Sequence, residues 1–332
     1  VSALKLYTAS IAGNLHASVP RAKDPSINAS AVAAKPEEVS PSAGLRELSP
    51  VVLLRACRPR QWSKNVLVAA APLSAGVIGR ADVVAEVLVA FVAFCMLSSA
   101  TYLLNDVRDR AQDREHPRKR LRPVAAGEMS VPAAIRWAAS LAVLGLATAA
   151  FVRPMLALVG IGYMALTASY SLWWRRVVVG DIVAVAAGFV VRACAGGAAT
   201  HVPLSRWFLV VTSACACFLV AGKRYAELTD HGRALTRATL RRYSAEGLVA
   251  LLGVAVAVAV VGYGMWSFQR PEHGPWYELS LIPFAGWLAR YARLLQVGAG
   301  QAPEEVILGD QILVALGLTW LGLFLGGVYV GG

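Results

Sequence analysis

Along the chain, long apolar runs alternate with short charged connections. Nine windows are nearly free of charge: roughly 62–79, 83–105, 133–152, 155–174, 181–200, 205–222, 244–268, 277–297 and 311–330. As helix at ~1.5 Å per residue, a window of about 20 residues crosses a hydrocarbon core of ~30 Å. Two windows are irregular: Pro72 interrupts the first, whose flank reads RACRPRQWSKN, and Arg290 and Arg293 blur the end of the eighth. The pattern predicts an all-α integral membrane protein, a bundle of nine transmembrane helices. Residues 1–48 are rich in Ala, Ser and Pro, show no sustained period and lack the apolar stretch of a signal peptide. They are read as a mostly disordered segment ahead of a membrane domain over 49–332.

Composition agrees. The chain is 57% hydrophobic and 16% charged, against about 45–50% and about 25% in soluble domains. Its net charge of +12 is sorted by connection. Arg46, Arg55, Arg58, Arg60 and Lys64 precede the first span, and seven basic residues from Arg108 to Arg122 follow the second. Arg175 and Arg176 follow the fourth, and Lys223, Arg224, Arg233, Arg237, Arg241 and Arg242 the sixth, while the alternate loops hold only Arg80, Arg153, Arg206 and Arg270. The positive-inside rule puts the first group on the cytoplasmic side. Charge so distributed anchors a membrane protein and argues against nucleic-acid binding. The five cysteines are an odd count, four of them within apolar runs, and fit neither a disulfide framework nor a zinc site. There is no P-loop, no Ser/His/Asp signature and no haem pattern.

The remaining charge is concentrated at a few points. Asp106, Asp109 and Asp113 follow the second span at spacings that form one stripe if the helix continues, since seven residues return to within ~20° of the start. Stacked carboxylates repel unless a cation sits among them, and hard oxygen donors suit Mg²⁺. Asn105 adds a neutral oxygen beside the stripe. The run HPRKRLRP follows, in which Arg118, Lys119 and Arg122 are suited either to substrate anions or to anionic lipid headgroups. A second cluster closes the sixth span, with Lys223, Arg224 and Glu227 in one turn and Asp230 beyond. Spacing alone leaves it open between a site and a membrane anchor. Asp181 opens the fifth span and Arg192 lies ~16 Å deeper, where a charged residue faces a polar cavity or makes a structural contact. Finally, RPRQWSKN places Arg58, Arg60, Gln61, Lys64 and Asn65 at the mouth of the first span, with Trp62 as interfacial anchor.

These residues resemble the UbiA superfamily of membrane prenyltransferases. Its NDxxDxxxD motif corresponds to Asn105-Asp106-xx-Asp109-xxx-Asp113, and HPRKRLRPVAAG over 116–127 matches its continuation. The second acidic DxxxD motif usual after the sixth helix is replaced by Lys223-Arg224-Tyr225-Ala226-Glu227-Leu228. With RPRQWSKN and FVVRACAGG, this is similar to an actinobacterial branch that moves 5-phosphoribose from phosphoribosyl diphosphate to a polyprenyl phosphate, toward cell-wall arabinan. The resemblance implies nine helices around a central cavity and Mg²⁺ held by Asp106, Asp109 and Asp113. It implies a catalytic set of those three with Lys223, Arg224 and Glu227. Substrate contacts are expected from Lys64, Asn65, Asn105, Arg118, Lys119, Arg122, Tyr170, Asp181, Arg192 and Tyr225. The partners implied are phosphoribosyl diphosphate, a polyprenyl phosphate lipid and the membrane, and a homo-oligomer is compatible with them. A prenyltransferase acting on an aromatic acceptor is the alternative within the superfamily, and a lipid or solute transporter the alternative outside it.

Overall fold

Proline and small polar residues punctuate the helices. A computed structural model describes residues 49–229, 242–269, 275–298 and 303–330. The expectation for residues 1–48, and those for Asp230, Arg233, Arg237, Arg241 and Arg270, lie outside the described residues. Among those described, the regular structure is helical throughout: α1 (Pro50–Cys57), a 3-10 stretch Pro59–Ala69, α2 (Ala70–Ser74), α3 (Ala81–Arg108), α4 (Arg110–Glu115), α5 (Pro123–Ala126), α6 (Val131–Val152) and α7 (Pro154–Leu172), then α8 (Val178–Thr200), α9 (Arg206–Thr229), α10 (Ala245–Ser267), α11 (Trp276–Gln296), α12 (Pro303–Gly309) and α13 (Gln311–Tyr329). Short 3-10 turns at Lys119–Leu121 and Trp174–Arg176 precede α5 and α8. Prolines open α1, α5, α6 and α7, where the missing N–H is no loss. Ser130, Ser244 and Asp310 cap α6, α10 and α13 through their side-chain oxygens.

Seven of these helices, α3, α6, α7, α8, α9, α10 and α13, are long and apolar enough to cross a membrane. The other two expected spans differ. α11 is 21 residues long but holds Glu278, Arg290, Arg293 and an internal Pro283. The expected first span is no regular helix. Pro59 and Pro72 bracket a 3-10 stretch rich in polar residues that passes into the five-residue α2.

That irregular segment packs on α3 and α8. The approach to α8 is so close that a Cβ on Gly196 would lie 1.9 Å from the Val68 carbonyl oxygen, so only glycine fits there. α3 lies against α6, and α7 against α8, around Phe94, Leu97, Leu156 and Tyr163. α9, α10, α11 and α13 close over Phe218, Leu288, Tyr291 and Leu313. Ile182, Ala186, Ala216 and Val220 join α8 to α9 between these two cores. An apolar cavity of about 360 Å³ lies among α2, α8, α9, α10, α11 and α13, bordered by Phe189, Trp207, Cys215, Trp266 and Trp320. Phe189 is two turns along α8, ~12 Å, from Asp181.

Candidate active site

The last turn of α3 carries Asn105 and Asp106. The helix kinks at Asp109 (φ −89°, ψ 6°) and resumes as α4, which carries Asp113. Backbone bonds from Asp109 N to Asn105 O (2.9 Å) and from Asp113 N to Asp109 O (2.8 Å) preserve helical spacing through the kink. Asp106 and Asp113 therefore share a face, as the seven-residue return requires. One guanidinium spans them: Arg122 Nη1 donates to Asp106 Oδ1 at 3.1 Å and to Asp113 Oδ2 at 2.7 Å. Arg58 also donates to Asp106 Oδ1. Asp109, in the kink, turns instead to Arg175 Nη1 at 2.7 Å. Asp106 and Asp113 are 1% and 2% exposed, and Asp106 Oδ2 is buried with no hydrogen-bond partner.

Among the described residues no three His, Cys, Asp or Glu side chains are gathered as a cation-holding group. The expected three-carboxylate stack is thus opened by the kink, with arginines on every acid. The donor set still fits a divalent cation at two points. Asp106 and Asp113 present hard oxygens to the same space, and Asp106 Oδ2 is a desolvated acceptor with nothing donating to it.

A second cluster gathers where the start of α8 meets α9. Asp181, fully buried at the start of α8, accepts from Arg224 Nε (2.5 Å) and Nη2 (3.1 Å) and from the Tyr170 hydroxyl (2.9 Å). Arg224 Nη1 donates to Glu227 Oε2 at 2.8 Å, so its fork is divided between the two carboxylates. Tyr170's neighbour Ser171 donates to Asn105 Oδ1 at 2.6 Å. Residues 170, 171 and 175 thus stitch the end of α3 to the start of α8 and link the two charged clusters.

The two most deeply placed candidates meet each other. Arg192 Nε donates to Asn65 Oδ1 at 2.8 Å, Nη1 to Gly188 O at 2.7 Å and Nη2 to the Tyr163 hydroxyl at 2.8 Å. Its guanidinium lies 4.8 Å from the centre of the Tyr163 ring. Asn65 donates in turn to Cys95 Sγ (3.3 Å) and Ser98 Oγ (3.2 Å). Both side chains are buried and their polar groups are taken up by protein. This network ties the irregular first segment to α3, α7 and α8.

The family model described as "UbiA prenyltransferase family" matches residues 66–315. The chain belongs to that family. Curated relatives named decaprenyl-phosphate phosphoribosyltransferase include one from Corynebacterium glutamicum, 41% identical over 84% of this chain and 87% of its own. One from Mycobacterium tuberculosis is 42% identical over 81% of this chain and 91% of its own. Among solved structures, a UbiA homolog from Archaeoglobus fulgidus bound to GPP and Mg²⁺ superposes with a TM-score of 0.64 at 17% identity, over 83% of this chain and 98% of that one. That likeness is one of fold.

Within the UbiA frame, the remaining expected residues divide. Arg118 is exposed and Lys119 half-buried. Both backbone N–H groups point at His116 Nδ1, at 3.2 and 3.4 Å, which shapes the turn before α5. Burial and then the Lys119 charge hold the His116 pKa below its ordinary value, favouring the neutral ring that accepts these bonds. Lys64 donates to Gln61 Oε1 at 2.5 Å. Lys223 is half-buried, and Tyr225 packs partly into the cores beside α8 and α10. Burial lowers the Arg58 pKa, opposed by Asp106 and reinforced by Arg122. The pairing roles of Arg58 and Arg175, and the contact of Ser171, were not foreseen. The only available signal for Arg175 was a pair of arginines closing one span opposite an acidic loop.

Proposed function

We propose that the chain transfers 5-phosphoribose from phosphoribosyl diphosphate to a polyprenyl phosphate, with decaprenyl phosphate as the acceptor its relatives' names give. The observation that carries this reading is 41–42% identity over more than four-fifths of the chain to relatives so named. The mouth supports it. Where a second acidic motif would bind a second metal, Arg224 is locked between Asp181 and Glu227, with Lys223 beside it. A lipid phosphate is already an anionic nucleophile and needs no strong base. One of its oxygens bonds to ribose C1 as the bond from C1 to diphosphate breaks, through an oxocarbenium-like transition state. Asp106 and Asp113, joined by Asp109, would hold Mg²⁺, which when bound offsets charge on the leaving diphosphate. Lys223, Lys119 and Arg118 are the cations we assign to phosphates, and Arg224 orients Glu227 toward the ribose hydroxyls. Asn65 and Arg192 act by positioning the first segment rather than by touching substrate. We read α11 and residues 59–74 as completing nine crossings, the charged mouth as cytoplasmic, and the product as a precursor of cell-wall arabinan.

The test uses detergent-purified protein with Mg²⁺, phosphoribosyl diphosphate and a long polyprenyl phosphate, following labelled ribose into the organic phase. Transfer should occur, stop with EDTA and be abolished by Asp109→Asn in protein that still folds. Prenylation of an aromatic acid from prenyl diphosphate, with no ribose transfer, would return the chain to the aromatic-acceptor reading.

A further inference from the structure

Two short elements next to the acidic motif turn apolar side chains outward. One is α1, followed directly by Arg58, and the other is the 3-10 turn Lys119–Leu121, followed directly by Arg122. α1 is apolar on both faces. Val52, Leu53 and Ala56 pack onto Leu103, Ala133 and Ala134, whereas Val51 and Leu54, one turn apart, keep 64% and 53% of their surface exposed. Leu121 keeps 65%. Arg55 ties the two elements together, donating to Glu128 Oε2 at 2.8 Å and to the Leu121 carbonyl at 3.0 Å. Leu54 and Leu121 thus adjoin the two ends of one contact, although 67 positions separate them.

Their level along the bundle follows from what α1 packs on. Leu103 lies in the last two turns of α3, and Ala133 and Ala134 lie in the first turn of α6. Trp137, one turn further along α6, is 39% exposed, and outward-facing tryptophans sit at the headgroup level of a bilayer. α1 therefore lies where two crossing helices leave the hydrocarbon. Three exposed arginines occupy the same neighbourhood: Arg60 shortly after α1, Arg120 next to Leu121, and Arg136 next to Trp137. Among the described residues their guanidiniums enter no ion pair or hydrogen bond. Apolar side chains mixed with free basic ones are the makeup of a surface that lies in a membrane interface. A second copy of the chain on the same patch would set arginines against arginines, while anionic headgroups complement them.

We propose that α1 and the turn at 119–121 form a docking surface for the bilayer. Val51, Leu54 and Leu121 enter the headgroup region of the leaflet on the acidic-motif side, and Arg60, Arg120 and Arg136 select anionic phospholipids there. Each basic residue near such a surface favours an anionic headgroup on the order of fivefold. The inference is independent of the reaction and of any metal.

The test places p-benzoylphenylalanine at Leu54 or Leu121 of the full chain, reconstituted in vesicles of equimolar phosphatidylcholine and phosphatidylglycerol, and identifies the photo-adducts by mass spectrometry. Both positions should give phospholipid adducts, enriched in phosphatidylglycerol by about threefold or more. Arg60→Gln combined with Arg120→Gln should bring the ratio toward one. Val51 carries the same test if either position does not elute as a single folded species. No lipid adduct, or crosslinking to a second copy of the chain or to residues 1–48 instead, would overturn the proposal. So would a phosphatidylglycerol share equal to that of the vesicles, or an enrichment that survives loss of both arginines.

Discussion

Replacing Asp181 with Asn leaves the buried Arg224 guanidinium facing a neutral partner. Asp181 is 0% and Arg224 3% exposed, and their bonds of 2.5 and 3.1 Å form a two-pronged pair. An asparagine retains one carbonyl acceptor but sets an NH₂ group against the other guanidinium N–H. Removing one partner of a buried ion pair typically costs 3–5 kcal/mol. Glu227, 2.8 Å away and 23% exposed, still offers a carboxylate to Arg224, which puts the loss near the lower end, about 3 kcal/mol. At roughly 2–4 °C per kcal/mol, Tm should fall by about 6–12 °C. Thermal unfolding in detergent, followed by tryptophan fluorescence, measures it. The double variant Asp181→Leu/Arg224→Met replaces the pair with apolar groups of similar size and should recover most of the loss. A single-variant shift below about 2 °C, or a double variant as unstable as the single, would refute the account of Asp181 as Arg224's buried counter-charge.

Three further outcomes are expected. Gly196→Ala drives a methyl to 1.9 Å from the Val68 carbonyl oxygen, so residues 59–74 must move off α8 at a cost of about 3 kcal/mol or more; unchanged Tm and yield would contradict the close approach. Tyr163→Phe keeps a ring beside Arg192 but removes the acceptor 2.8 Å from its Nη2, and thermal unfolding should report a loss of about 1–3 kcal/mol. Arg58→Gly relieves the left-handed backbone while deleting the guanidinium, so turnover should drop sharply with Tm moving less than about 3 °C. A collapse in Tm would make Arg58 a structural residue only.

The helices were legible because a membrane span is a local property: about 20 apolar residues suffice to declare one. Asp106 and Asp113 were legible for a similar reason, since a seven-residue return on a helix survives even the kink at Asp109. The first segment was expected as a span interrupted at Pro72; that it is 3-10 from residue 59 to 69 was not legible, because its prolines and polar groups take their shape from tertiary partners. Partners are where one-dimensional reasoning ends. Arg58 meets Asp106 across 48 residues, Arg175 meets Asp109 across 66 and Arg192 meets Asn65 across 127. For Asn65 and Arg192 substrate contact was what the family resemblance implied, while position alone left Arg192 open to a structural contact. Polar groups in such a setting must be satisfied, and nothing local reveals that these two satisfy each other.

The contact between Asn65 and Arg192 also bears on how the chain is made. Arg192 is synthesised 127 residues after Asn65, and Gly196, whose missing side chain admits the Val68 backbone, later still. Until α8 emerges, the irregular 3-10 backbone of residues 59–69 has only α3 of the two long helices it packs on. Its packing is therefore completed only after α3, α6, α7 and α8 have all been made. The part of the bundle translated first is among the last to be seated.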